Sequence, residues 1–352
     1  MKIAVYSNVS SARQGGGVLY IASLAAALAQ KNEVELFFPT QIDNAELERL
    51  LPPSFAGIQT RQIDDQTRLS LVGEIKGVLS KTKYDLVVTQ STQISRLKHG
   101  AKSVLVCEFP LQKTARLSEK GRLRIFHKVI ANSSFTSEWI HRRWGRKAEV
   151  LHPAVFQVAP LTKEPWILAV GRFVAGRRSK NQLEMVQMFR ELVDAGLVGW
   201  QFHLAGTVQD EEYCERVRAM AEGLPVVLHL DISRSDLEQL YGQSSIFWHS
   251  AGAQCDPEAE PECMEHFGIA TAEAMSAGAV PVVINRGGQP EILGASESGI
   301  LWNTFDECKD ETWKLIHDQA RLGEMSRRAV ERARAFSFPG FANRVTEIFE
   351  GT

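Results

Sequence analysis

The feature that most constrains the fold is an alternation, met twice along the chain, of short β-branched runs with helical segments. Lys2–Ser7, Glu33–Phe38, Asp85–Thr89, Ser103–Cys107 and Val129–Asn132 read as buried strands. Helices are expected among them at Val18–Gln30, Leu69–Leu79 and Phe135–Arg143. After Val150–Ala154 the pattern restarts, with strands at Trp166–Val170, Gln201–Ala205, Val226–Leu230, Ser245–His249 and Val280–Ile284. Helices at Gln182–Ala195, Glu211–Glu222, Asp236–Tyr241 and Ile269–Ala277 separate those. Apolar strands divided by helices form parallel sheets covered on both faces, so two Rossmann-like α/β domains in tandem are expected. The join falls near His152–Lys163, where two prolines interrupt the periodicity. The expected division is residues 1–155, residues 156–335, and a terminal helix within 336–352 that packs back on the first domain. Ligands of open parallel sheets sit at the carboxyl ends of the strands, so a ligand in a cleft between two facing domains is expected.

Composition narrows the partners. A chain of 352 residues is long enough for two cores, and a formal net charge of -2 supplies no global field for nucleic acid, which is not an expected partner. The opening apolar run is too short for a signal-peptide core, and no run approaches the roughly 18 apolar residues that span a bilayer, so a cytoplasmic location is expected. The five cysteines, at 107, 214, 255, 263 and 308, are odd in number and scattered. With no CxxC and no His-x3-His among them, they are expected to be free thiols and no metal site is expected. Between Leu111 and Lys147 there are ten Lys/Arg against two Glu, with Leu117, Leu123, Ile125 and Phe126 interspersed. That composition suits either solvated helix faces or peripheral contact with an anionic membrane at its inner face, where a lipid-linked acceptor would dock.

The segment richest in chemistry is EHFGIATAEAMSAGAVPVVINRGGQPEIL, from Glu265 to Leu293. A loop carboxylate, Glu265, precedes a turn glycine, Gly268, and a helix that carries a second carboxylate, Glu273. Eight helical residues turn about 80° beyond two full turns, and because Glu265 lies ahead of the first turn both carboxylates can face one ligand. The N–H groups at the helix start suit a diphosphate, and each carboxylate accepts hydroxyl hydrogen bonds of the kind a sugar or ribose offers. A phosphorylated sugar is the ligand suggested.

This stretch resembles the E-x7-E signature of the family 4 retaining glycosyltransferases, and Gly278, Pro281, Gly287, Gly288, Pro290 and Glu291 match its continuation. The form Glu265-His266-Phe267-Gly268-Ile269, preceded by Trp248-His249-Ser250, resembles a subgroup that includes lipid-linked-oligosaccharide mannosyltransferases and bacterial surface-glycan enzymes. The resemblance implies the GT-B fold and transfer of a hexosyl unit, with retention, from a nucleotide diphosphate sugar (GDP-mannose or a UDP-sugar) to a glycan or lipid-linked acceptor. It also implies that no metal is bound. Carried onto this sequence, it gives Glu265 the donor-sugar hydroxyls, Glu273 the nucleotide ribose, and Phe267, Gly268 and Ile269 the backbone contacts to sugar and phosphates. A sugar-nucleotide epimerase or hydrolase of the same fold, or a non-catalytic sugar-nucleotide-binding protein, is the alternative.

Two further segments extend the resemblance. In VGRFVAGRRSKNQLE, Arg172 and Lys180 match an arginine and lysine that neutralise the departing diphosphate, although Arg177 and Arg178 crowd the same loop. In SNVSSARQGGGVLYIASLAAALA, Gly15, Gly16 and Gly17 match a glycine turn that lies against donor phosphates or acceptor. A dinucleotide fingerprint fails there because Tyr20 takes the last glycine's place. Gly16 and Gly17 serve either as ligand contacts or as a tight strand-to-helix turn. Glu108, after the strand ending at Cys107, stands where the subgroup places a histidine, so Glu108 is the expected acceptor-side residue and no catalytic histidine is expected. Ser133 or Ser134 is expected as a helix N-cap, and the Pro/Glu-rich excursion from His249 to Met264 as a lid or a variable loop.

Overall fold

The structure is a computed structural model that describes residues 1–7, 16–39, 59–62, 84–94, 102–111, 114–115, 117–295 and 297–350. Gly15 and the helix expected over 69–79 lie outside the described residues. The chain divides into two compact units, Met1–Ala154 with Phe336–Thr352, and Val155–Ala335.

The first unit is a seven-stranded sheet in which every neighbouring pair is parallel. Its strands are β1 (Lys2–Tyr6), β2 (Glu33–Phe38), β3 (Gln59–Gln62), β4 (Leu86–Gln90), β5 (Lys102–Cys107), β6 (Lys128–Ala131) and β7 (Glu149–Val150). They run in the order β3-β2-β1-β4-β5-β6-β7, so the connections reverse direction between β1 and β4. Burial on both faces explains the consecutive apolar residues at the centres of β1, β4, β5 and β6, Ile3–Val5, Leu86–Val88, Val104–Cys107 and Val129–Ala131. Helix Gly16–Ala29 follows β1 and is buried along nearly its whole length. The terminal helix Phe338–Phe349 buries Phe341, Ala342, Val345, Ile348 and Phe349. Its Phe341 ring lies 6.3 Å from that of Tyr20, and Lys128 donates to the Ile348 carbonyl at 2.5 Å.

The second unit is a six-stranded parallel sheet of β8 (Glu164–Val170), β9 (Gln201–Gly206), β10 (Val226–Leu230), β11 (Ser244–His249), β12 (Val280–Ile284) and β13 (Ile300–Trp302). Its order, β10-β9-β8-β11-β12-β13, reverses between β8 and β11. Phe173, Phe189, Phe202 and Trp248 fill the core beneath it, and the Trp248 indole N–H is satisfied by the Thr312 hydroxyl at 3.0 Å.

Several elements carry too little periodicity to be read from sequence. Strands β3, β7 and β13 have four, two and three residues, below the length at which alternation can be counted. Helices Phe305–His317 and Gln319–Ala333 are amphipathic, yet they follow one another with no strand between them and so fall outside the alternation. In the basic segment, Leu123 and Phe126 belong to the core rather than to an apolar surface, whereas Leu111 and Ile125 are exposed. Three of its cations are engaged within the unit, Lys128 at Ile348, Arg143 on the Pro110 carbonyl at 2.7 Å and Arg146 on that of Phe126 at 3.1 Å. No helix among the described residues is long and apolar enough to cross a membrane.

Candidate active site

The chemistry-bearing residues of the second unit collect at the carboxyl ends of its central strands, on either side of the switch between β8 and β11. After β8 the chain turns through Gly171 and Arg172 and returns at Lys180. A Cβ on Gly171 would lie 2.6 Å from Lys180 Cγ, so the glycine is what lets the lysine stem cross the turn. The return is fixed by Asn181, left-handed at φ 56°, whose amide donates to the Ser250 carbonyl at 2.5 Å. Ser250 in turn donates its hydroxyl to the Lys180 carbonyl at 2.8 Å, joining the ends of two loops. Gln182, buried at the start of the next helix, donates to the Arg172 carbonyl at 3.0 Å.

Lys180 Nζ meets Glu265 Oε2 at 2.5 Å, and His249 Nε2 meets the same oxygen at 3.0 Å. Burial by itself would raise the Glu265 carboxyl. The Lys180 charge and the His249 hydrogen bond more than offset it and hold the group well below the usual carboxylate range. His249 closes a fully buried strand, and burial lowers its own pKa against the pull of Glu265. The neutral ring therefore donates from Nε2, which leaves Nδ1 as a buried acceptor without a partner among the described residues. Arg172 is half-buried and has no side-chain partner among the described residues. Arg177, 72% exposed, pairs instead with Glu260 at 3.0 Å, which separates it from the Lys180 cluster.

The backbone that carries Glu265 is held by the glycine pair that follows β12. Gly288 N–H donates to the Glu265 carbonyl at 2.8 Å. A Cβ at Gly287, itself at φ 62°, would fall 2.2 Å from that same carbonyl oxygen, and one at Gly288 would fall 2.6 Å from Phe267 Cα. Gly268, at φ 117°, begins helix Ile269–Ser276 without a side-chain cap. Its own Cβ would meet Gln289 at 2.8 Å. The first N–H groups of any helix lack intrahelical partners, and here the helix is buried from Thr271 onward while Ile269 and Ala270 remain partly open. The arrangement offers uncapped donors at a dipole's positive end beside an ionised carboxylate.

Glu273, on that helix, has a different environment. It is 4% exposed and accepts from Arg234 Nη1 at 2.7 Å. Burial raises its pKa, and Arg234 only partly offsets that. The Tyr241 hydroxyl is close enough to bias the carboxylate but lies outside hydrogen-bond geometry. Arg234 also pairs with Glu238 at 2.8 Å and lies 4.5 Å over the Phe156 ring. Glu265 and Glu273 thus carry separate cation partners.

In the first unit Gly16 and Gly17 open the helix after β1. Glu108, beyond the end of β5, lies over Gly17, where a Cβ would come within 2.9 Å of its Oε1. Gln90, at the end of β4, donates to the Gly17 carbonyl at 3.2 Å and accepts from Ser7 at 2.8 Å. These residues surround that unit's own switch point. Burial pushes the Glu108 carboxyl up to about 7 despite a hydrogen bond from Gln90. Tyr20 is a core residue whose hydroxyl donates to the Leu151 carbonyl at 2.8 Å. Ser133 caps its helix by accepting from Thr136 N–H at 3.0 Å.

The sequence by itself assigns neither His249 nor Arg234 a role. A polar ring ending a fully buried strand was the signal for the first. For the second it was a cation in the first turn of helix Arg234–Gln243, where the dipole disfavours positive charge.

Residues 154–336 match the family model described as Glycosyl transferases group 1, and residues 14–155 match Glycosyltransferase Family 4. The chain belongs to the family 4 glycosyltransferases. Among curated relatives of this family, it is 25% identical over 193 residues to the GDP-Man:Man(3)GlcNAc(2)-PP-Dol alpha-1,2-mannosyltransferase of Dictyostelium discoideum. That match covers 52% of this chain and 36% of the relative, so the chain spans about a third of that protein. Among solved structures, the glycosyltransferase of Rickettsia africae superposes with a TM-score of 0.76 at 17% identity, covering 99% of this chain and 98% of that one. Anabaena HepE in complex with UDP-glucose gives 0.70 at 15% identity, with both chains covered in full. The fold is that of the GT-B glycosyltransferases, two Rossmann-like domains each built on a parallel sheet.

Proposed function

We propose that the protein transfers a hexosyl unit from a nucleotide diphosphate sugar to a hydroxyl of a glycan or lipid-linked acceptor, with retention at the anomeric carbon. The observation that carries the reading is the Lys180–Glu265 ion pair beside the Gly268-capped helix start, which joins a cation, an ionised carboxylate and uncapped N–H donors on adjoining loops. In this reading Glu265 accepts the donor sugar's hydroxyl hydrogen bonds and Glu273 those of the nucleotide ribose. The N–H groups of Phe267, Gly268 and Ile269 receive the diphosphate together with Arg172 and Lys180.

The leaving nucleotide gains negative charge as the glycosidic bond breaks, and fixed cations stabilise that charge without reorganising. The acceptor hydroxyl attacks the face the nucleotide leaves, through an oxocarbenium-like state and with no protein nucleophile. On the acceptor side, Gly16, Gly17 and Glu108 form the candidate set. A carboxyl titrating near 7 suits a group that takes up a proton at neutral pH. The Dictyostelium relative's name specifies a GDP-mannose donor and a diphosphate-lipid acceptor, and HepE holds UDP-glucose. Those names support GDP-mannose or a UDP-sugar as donor; a role in surface-glycan synthesis is part of the same proposal.

Incubation with GDP-mannose and UDP-sugars, with and without sugar or lipid-linked acceptors, tests the reading through nucleotide release. Release stimulated by acceptor supports transfer. Acceptor-independent release or isomerised sugar indicates a hydrolase or epimerase, and binding without turnover in every combination indicates a non-catalytic protein.

A further inference from the structure

The excursion between β11 and Glu265 carries a side-chain cluster that the transfer reaction does not use. One ligand atom each from Cys255, Glu260 and Cys263 lies within 4.8 Å of the others. Sequence spacing alone points to free thiols here, because the two cysteines are eight residues apart with no CxxC and the third member is a glutamate. We propose that Cys255, Glu260 and Cys263 form a binding site for a thiophilic divalent cation of the zinc class, which braces the loop that delivers Glu265.

The backbone already brings the three together. Cys255 N–H donates to Gly252 at 3.1 Å, and Arg286 Nη1 holds the Gly252 and Cys255 carbonyls at 2.8 Å each. Asp256 accepts from Glu258 N–H at 2.8 Å and Ala259 N–H at 2.9 Å, and its carbonyl takes the Glu260 N–H at 2.8 Å, closing the turn between two of the ligands. A 3-10 turn, Pro261–Cys263, brings the third back, with Cys263 N–H on the Glu260 carbonyl at 3.0 Å. Sulfur–sulfur edges about a tetrahedral zinc are about 3.8 Å, so closure needs movements of no more than about 1 Å. Two thiolates with one carboxylate select a borderline-soft ion over magnesium or calcium.

Charge and access also fit. Binding releases two thiol protons, and the resulting unit of one divalent ion, two thiolates and one carboxylate carries a single negative charge. Arg177, 3.0 Å from Glu260, neutralises it. Cys255 and Glu260 are part-exposed and give the ion a way in, while Cys263 is 6% exposed. Cys263 is two residues from Glu265, and Cys255 is six beyond His249, so an ion joining them stiffens both ends of the segment that supplies the Glu265–His249 pair.

Titration of the reduced full-length protein with Co2+ provides the test. The expected result is one equivalent of Co2+ bound with release of two protons per ion and a thiolate-to-cobalt charge-transfer band, which Zn2+ then abolishes by displacing the Co2+ without further proton release. Cys255, the part-exposed member, becomes protected from alkylation, while buried Cys107, Cys214 and Cys308 serve as unreactive controls. Cys255→Ser, at a part-exposed position, abolishes the band, and Glu260→Gln retains it with affinity reduced roughly tenfold or more. A folded, reduced wild type without the band overturns the proposal. So does an undiminished band in Cys255→Ser, or a Cys255–Cys263 disulfide in air from a protein that takes up no Co2+ when reduced.

Discussion

Lys180 and Glu265, 85 residues apart in sequence, share a 2.5 Å ion pair at the point where the β8 and β11 loops meet. Their side chains are 21% and 24% exposed, between the surface and buried limits. Lys180→Met is therefore expected to cost about 1–3 kcal/mol in stability. The sign of the pH dependence follows from the lowered Glu265 pKa. The pair's contribution is fully present above the ordinary glutamate value of about 4.3 and is lost as pH falls below it toward the depressed folded value. Thermal melts of wild type and Lys180→Met between pH 3 and 7 check this: the gap between them closes at the acid end.

Arg234 is the cation partner of a far more buried carboxylate. Arg234→Ala leaves Glu273 without an ion-pair partner and is expected to destabilise by about 3 kcal/mol, with nucleotide binding weakened as well. Glu273 already titrates above its ordinary value, and the variant raises it further. A carboxyl with a raised folded pKa costs stability as pH climbs through that value. The Arg234→Ala deficit measured by denaturant unfolding is thus larger at pH 7 than near pH 4.

Glu108 and Gly17 give a test that separates packing from chemistry. A Cβ at Gly17 would press on the mobile end of the Glu108 side chain, and alanine is favoured over glycine in a helix by up to about 1 kcal/mol. Gly17→Ala should leave the melting temperature within a few degrees of wild type while displacing the carboxyl. With Glu108 titrating at about 7, the pH profile of turnover should show a limb there that is lost in Glu108→Gln and distorted in Gly17→Ala. For stability the sign is opposite to that of Glu265. The Glu108 contribution is present below about 4.3 and declines as pH rises through about 7, and Glu108→Gln removes that slope.

Gly287 is expected to tolerate no side chain. Gly287→Ala combines a left-handed φ of 62° with a Cβ 2.2 Å from a backbone oxygen that cannot move aside cheaply. A loss of more than about 3 kcal/mol, with loss of donor binding, is expected by calorimetry and nucleotide titration.

The legibility of this molecule from its sequence followed physical range. Strands such as β5 and β12 are buried on both faces, so burial is written into their composition. The E-x7-E stretch was readable because the turn glycine, the helix and both carboxylates are local in sequence. What makes Glu265 an ionised group is not local: Lys180 arrives from one loop and His249 from another. The same holds for Arg234 at Glu273, 39 residues away, and for the Gly287–Gly288 pair, whose glycines were visible but whose contact with the Glu265 and Phe267 backbone was not.

In the proposed function Glu265 acts on the donor sugar while Glu273 and the helix start hold the nucleotide. This division of roles is tested most directly by measuring, on Glu265→Gln, both acceptor-dependent turnover of the nucleotide sugar and the affinity for the nucleotide diphosphate alone. Turnover is expected to fall at least roughly a hundredfold, about 2.7 kcal/mol of transition-state stabilisation, with nucleotide affinity within a few-fold of wild type. Turnover at the wild-type rate, or a loss confined to nucleotide affinity, would contradict it.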